Sequence, residues 1–165
     1  MDTPTLSLLL SALAMAIALY AAFGKKTAPP APSATDAGTR ALRLQAYERL
    51  VLLTERIALP NLISRLNQPG ISATEMKLFL TENIKQEFEY NSTQQLYVTQ
   101  LSWDAVRNLK EQNLMIIHQV AASLPLDASA ADLNKKILEL ILNQPNGALH
   151  ELVLQALNHE AKKLM

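Results

Sequence analysis

The residues of this 165-residue chain best suited to chemistry are its three histidines, the glutamates around Lys85, and a group of amides and aromatics between Asn91 and Trp103. Histidine is the usual metal ligand and proton shuttle near neutral pH. His150 and His159 stand nine residues apart, on opposite sides of a helix, so they cannot share one ion within a chain. His118 belongs to another stretch, no two histidines have the four-residue spacing of a helical zinc motif, and no cysteine is present to complete a site. No metal site is therefore expected. Glu82, Glu87 and Glu89 with Lys85 could be imagined as an acid–base cluster. Glu82 and Glu89 share a face, but it is the face opposite the apolar stripe Met76, Leu80 and Ile84, and solvated pairing with Lys85 accounts for it. A glycine-rich phosphate loop and a GxSxG elbow are both absent from the sequence, so no catalytic residue and no cofactor are expected. The remaining group, Asn91, Gln94, Gln95, Tyr97 and Trp103, lies at a polar join between two helices. Amides and aromatics there serve either as a recognition patch or to satisfy one another and a buried helix end, and both readings stand at this stage. Tyr47 and Arg49 are further candidates for the same place, to which spacing alone does not join them.

The elements that position these residues are helical. Only four glycines, no convincing strand alternation and many Ala, Leu, Gln, Glu and Lys predict an all-α chain. The formal net charge of zero and 5% aromatic content suggest no nucleic-acid surface. From Arg40 a helix carries Ala46, Tyr47, Leu50, Leu53 and Ile57 on one face, and Pro60 sets off a short helical turn over 61–66. Ser72 and Glu75 have the form of a capping box. The helix they open buries Met76, Leu80, Ile84 and Phe88 with Phe79 alongside, and runs on to about Tyr97. Ser102 is the expected cap of the next helix, with Asp104 in its first turn and Trp103, Val106, Leu109, Asn113, Ile116, Ile117, Val120 and Leu124 inward. Asp127 or Ser129 opens a further helix with Leu133, Ile137, Leu140 and Ile141 inward. The last helix carries Leu149, Leu152, Val153, Ala156, Leu157, Ala161 and Leu164.

Ahead of this domain, Thr5 to Phe23 is an uncharged apolar run long enough to cross a bilayer core of about 30 Å. A signal peptide competes with a retained anchor, but it requires a basic segment before the run and a small-x-small site after it. Here Asp2 precedes, and Tyr20 stands where a small residue is wanted. Lys25 and Lys26, with Arg40 and Arg43 beyond, predict by the positive-inside rule an amino terminus outside and a cytoplasmic domain, at the inner (plasma) membrane. On that topology the sequon at Asn91 is a chance match. Ser7, Ser11, Ala14, Ala18 and Ala21 make a small-residue seam in the run, and with the apolar last helix this raises the expectation of a homo-oligomer. The expected organisation is thus an anchor with its flanks over 1–26, a Pro/Ala-rich semi-extended linker over 27–39 and a soluble bundle over 40–165, with five principal helices plus the short one after Pro60.

The phrases AYERLVLLTERIALPNLISRL, EFEYNSTQQLYV and SWDAV, within about residues 45–124, resemble an uncharacterised bacterial family of small proteins. The resemblance implies an amino-terminal span and a helical cytoplasmic domain, and carries over no activity residue by residue. The expected function is a membrane-tethered interaction or assembly module at the cytoplasmic face, without catalytic activity and with an unknown protein partner. The alternative is an enzyme or small-ligand binder with a pocket between helices near Asn91, Gln95 and Trp103.

Overall fold

Proline at position 60 interrupts the first long helical stretch, and the carbonyls at the interruption reveal how that stretch is pinned to the rest. In the computed structural model, which describes residues 34–143 and 149–165, helix α1 (Ala34–Ile57) gives way to a short helix α2 (Leu59–Leu66). Pro60 has no amide to donate to the carbonyl of Arg56. Arg65 Nη2 donates to it instead, at 3.2 Å. On either side, Asn61 Nδ2 donates to Glu55 O at 3.1 Å and the buried Asn113 Nδ2 donates to Ile57 O at 2.7 Å. Successive carbonyls at the end of α1 are thus capped by side chains from two other helices.

The chain continues with α3 (Ala73–Tyr90), a 3-10 helix (Ser92–Leu96), α4 (Gln100–Ala122), α5 (Ala130–Leu142) and α6 (Leu149–Lys162). Among the described residues the architecture is all-helical, with one isolated antiparallel bridge between Ser72 and Ser129. Helix α4 lies against α3, α5 and α6, and α3 also lies against α5 and α2. Leu50, Leu53 and Ile57 of α1 join Met76, Leu80 and Ile84 of α3, Leu109 and Ile117 of α4, and Leu133 and Ile137 of α5 in one core. Burying each such side chain stabilises the fold by about 1.5–3 kcal/mol.

The capping box at Ser72 and Glu75 is present as the spacing predicts, and a second forms at Ser129 and Asp132. Ser129, not Asp127, opens α5, because it can accept from the amide of Asp132 while Asp132 reaches back to its own. The amide and hydroxyl of Ser72 hold the Glu75 carboxyl below its usual range; the hydroxyl and amide of Ser129 do the same for Asp132. The two boxes are clasped across the bridge by Ala73 N to Ala128 O at 2.9 Å and Ala130 N to Ile71 O at 3.0 Å. Gly70, at a φ of +84°, makes the turn into the first box.

Several expectations are corrected. Helix α1 begins at Ala34, inside the stretch expected to be an extended linker: Pro29, Pro30 and Pro32 all precede it, and Asp36 in its first turn suits the macrodipole. Helix α3 stops at Tyr90 rather than near Tyr97, because Asn91 closes it. Thr99, not Ser102, caps α4, its hydroxyl accepting from Ser102 N at 3.3 Å. Asp104 consequently falls beyond the first turn and pairs with Arg107 at 2.6 Å. Phe79, Leu140 and Leu152, expected inward, are exposed, since each sits at the edge of its helix's apolar stripe. No described helix is long and apolar enough to cross a membrane; the expected span, Thr5 to Phe23, lies outside the described residues.

Candidate functional site

Around the join after α3, the aromatic and amide residues have distinct placements. Asn91 is buried: its Nδ2 donates to Glu87 O at 2.8 Å and its backbone amide to Phe88 O at 3.2 Å. Trp103, only 7% exposed, packs against Phe88 with ring centroids 4.9 Å apart, and Lys110 Nζ stands 4.6 Å from the centre of the Phe88 ring. These two candidates serve the helix end and the α3–α4 packing. Gln94 is half-buried with its amide 3.4 Å from Thr93 Oγ1, while Gln95 and Tyr97 are exposed.

Tyr47 does reach this place. Its buried hydroxyl accepts from Thr99 N at 3.2 Å and lies 3.4 Å from both Thr99 Oγ1 and Ser102 Oγ. Thr99 and Ser102 are linked at 2.9 Å, so the three hydroxyls are committed to one another and dock α1 on the start of α4. One turn earlier on α1, Arg43 Nε donates to Tyr97 O at 3.4 Å. Arg49 points elsewhere, to a groove between α1 and α3.

That groove encloses about 680 Å³. Leu53 floors it, Gln45, Glu48, Arg49 and Leu52 line one side, and Gln86, Tyr90 and the predicted site residue Asn91 line the other. Leu52 is 62% exposed and Tyr90 75%. At its end, Glu87 Oε1 accepts from Arg56 Nε at 2.7 Å and from Arg56 Nη2, with Arg65 Nη1 at 3.5 Å. The hydrogen bond from Arg56 holds the Glu87 carboxyl below its usual range, and the same contact raises Arg56. Spacing on α3 alone placed Glu87 on a solvated face, whereas its partners come from two other helices; no local signal could have found them. Lys85 pairs with Glu82 at 2.8 Å as the spacing predicts.

Among the described residues, no three His, Cys, Asp or Glu side chains are grouped to hold a metal ion. His118 and His159 are exposed and His150 is half-buried, on separate parts of the surface of α4 and α6. The arrangement is a half-apolar groove whose charged lining is balanced, Glu48 and Glu87 with Arg49 and Arg56, and a separate hydroxyl cluster that docks α1 on α4.

No curated protein and no solved structure matches the chain. One family model matches residues 3–164, nearly the full length. The chain belongs to that family, DUF7935, a family of unknown function.

Proposed function

We propose that this chain is a non-catalytic interaction module, tethered by Thr5 to Phe23 to the inner (plasma) membrane with its helical domain at the cytoplasmic face. The observation that carries the reading is the α1–α3 groove, where Leu52 and Tyr90 stand exposed beside Arg49 without a covering element among the described residues. Large apolar side chains flanking a groove of this kind fit the laying-in of a helix from another protein chain. The charge step at Lys25 and Lys26 supports the orientation. The reading is tested by purifying the full chain from gently solubilised membranes. A protein chain retained in stoichiometric amount, and lost on Leu52→Glu, is the expected result. A bound small molecule without any protein partner overturns it in favour of a ligand-binding domain.

A further inference from the structure

We propose that the end of the bundle carrying Leu96, Tyr97 and Leu101 docks on the anionic surface of the bilayer in which Thr5 to Phe23 is held. The proposal rests on the reading of the chain as a membrane-tethered module and fixes which end of its helical domain faces the membrane.

Three helix ends meet here. Helix α3 finishes at Tyr90, α4 begins at Gln100 and α6 finishes at Lys162. Tyr47 of α1 joins the start of α4 through Thr99. The end of α6 reaches the same threonine: the Glu160 carboxyl is held below its usual range chiefly by the hydrogen bond from Lys163, with a smaller contribution from the Thr99 hydroxyl. Between α3 and α4 the 3-10 helix buries none of its residues. Leu96 is 75% exposed, Tyr97 41% and Leu101 69%, three large side chains turned outward within six positions. Leucines beside a tyrosine suit the boundary of a bilayer, where the leucines enter the acyl region and the phenol stays at headgroup level.

Charge and chain length name the bilayer as the occupant. From Gly24 to Arg43 the sequence carries Lys25, Lys26, Arg40 and Arg43 against the single acidic Asp36, an excess that complements anionic headgroups. Arg43 reaches the exposed end itself, through Tyr97 O. Lys163 is bonded to Glu160 and Arg107 to Asp104, so Lys162 and Glu89 are the further exposed charges there. The ten residues 24–33 between the apolar run and α1 reach at most about 35 Å, and α1 passes Tyr97 at Arg43, about 14 Å from its start. The tether thus keeps this end of the bundle near the bilayer, with slack enough for it to touch. The far end of α4 has no such claim. Leu126 is fully exposed there, but it lies beyond the 23 residues of α4, about 34 Å away, and beside Asp127.

The chain has no cysteine, so an environment-sensitive fluorophore can be attached at one introduced thiol of the full chain, reconstituted in vesicles of phosphatidylcholine with phosphatidylglycerol. At Gln95→Cys, exposed in the 3-10 helix, the fluorophore leaves water and is quenched by nitroxide-labelled lipid, whereas at Leu126→Cys it stays in water. Leu96→Asp with Leu101→Asp, at exposed positions where the melting temperature is unaffected, abolishes the quenching at Gln95→Cys. Arg40→Gln and Lys162→Gln each lower the ratio of docked to undocked chains about fivefold, and so does leaving out phosphatidylglycerol, by more. A fluorophore at Gln95→Cys that stays in water, or is quenched no more than at Leu126→Cys, overturns the proposal. So does one that leaves water beyond the reach of the nitroxide, since a second copy then covers this end. Carbonate extraction of the same vesicles separates the two readings. A chain that is extracted yet was quenched keeps the docking and loses the tether; one that is retained with its fluorophore in water keeps the tether and loses the docking.

Discussion

Replacing Asn113 by leucine tests the most specific structural claim made for this domain, that a single buried amide on α4 completes the end of α1. Asn113 Nδ2 donates to Ile57 O at 2.7 Å, and both residues are buried, at 5% and 0% exposure. Leucine has nearly the same shape but cannot donate, so the carbonyl is left in an apolar setting where water does not reach it. A buried acceptor that loses its donor costs about 1–3 kcal/mol, against a net worth of about 1 kcal/mol for an ordinary hydrogen bond. Burial favours the upper half of that range, about 2 kcal/mol. For a chain of 165 residues this lowers the thermal midpoint by about 4–8 °C, at roughly 2–4 °C per kcal/mol. The control is Asn108→Leu, an exposed position on the same helix where a change within about 0.5 kcal/mol is expected. Differential scanning calorimetry or urea unfolding on the two variants reads the difference. If Asn113→Leu melts with or above Asn108→Leu, the carbonyl of Ile57 has another donor and the side-chain capping of the α1 terminus is wrong.

Glu87→Gln removes the charge shared by Arg56 and Arg65; because the arginines are half-exposed, the loss is about 0.5–1 kcal/mol and shrinks in 1 M salt, as urea midpoints at two ionic strengths will register. Glu75, Asp132 and Glu87 all have carboxyls held below their ordinary range, so on acidification the unfolded chain takes up protons first. The stability they contribute is present above about pH 4 and lost as pH falls through their lower folded values, so the melting temperature is flat from about pH 7 to 5 and then drops; Glu75→Gln with Asp132→Asn flattens that drop. Lys110→Ala removes the cation from the face of Phe88 at a cost of about 0.5–1 kcal/mol, followed in urea by the emission of Trp103, the single tryptophan.

What was legible in the sequence follows the reach of each interaction. The stripe Met76, Leu80 and Ile84 and the box at Ser72 and Glu75 are set by neighbours within one helical turn, and both stand where spacing puts them. The cap of α4 is ambiguous in the sequence because Thr99 and Ser102 are both hydroxyl residues within one turn; Thr99, with an extended backbone, accepts from Ser102 N, while the Tyr47 hydroxyl lies 3.4 Å from both side chains and does not choose between them. The break at Pro60 was legible from proline's missing donor, but the groups that compensate for it, Arg65 and Asn113, answer to geometry that no local pattern carries. The same holds for the groove. The inward face with Leu50 and Leu53 already leaves Leu52 outside, but only tertiary packing sets Gln86 and Tyr90 opposite it.

The clasp between the two capping boxes governs where this domain comes apart. The first amides of a helix ordinarily have no partner within it and are the earliest to exchange with solvent. In α3 and α5 the leading amides of Ala73 and Ala130 are spoken for by the opposite loop, at Ala128 O and Ile71 O, so neither helix can unwind from its start without releasing the other. Thermal opening is thereby steered away from the starts of α3 and α5. The two helices therefore open together rather than fraying separately from their amino ends.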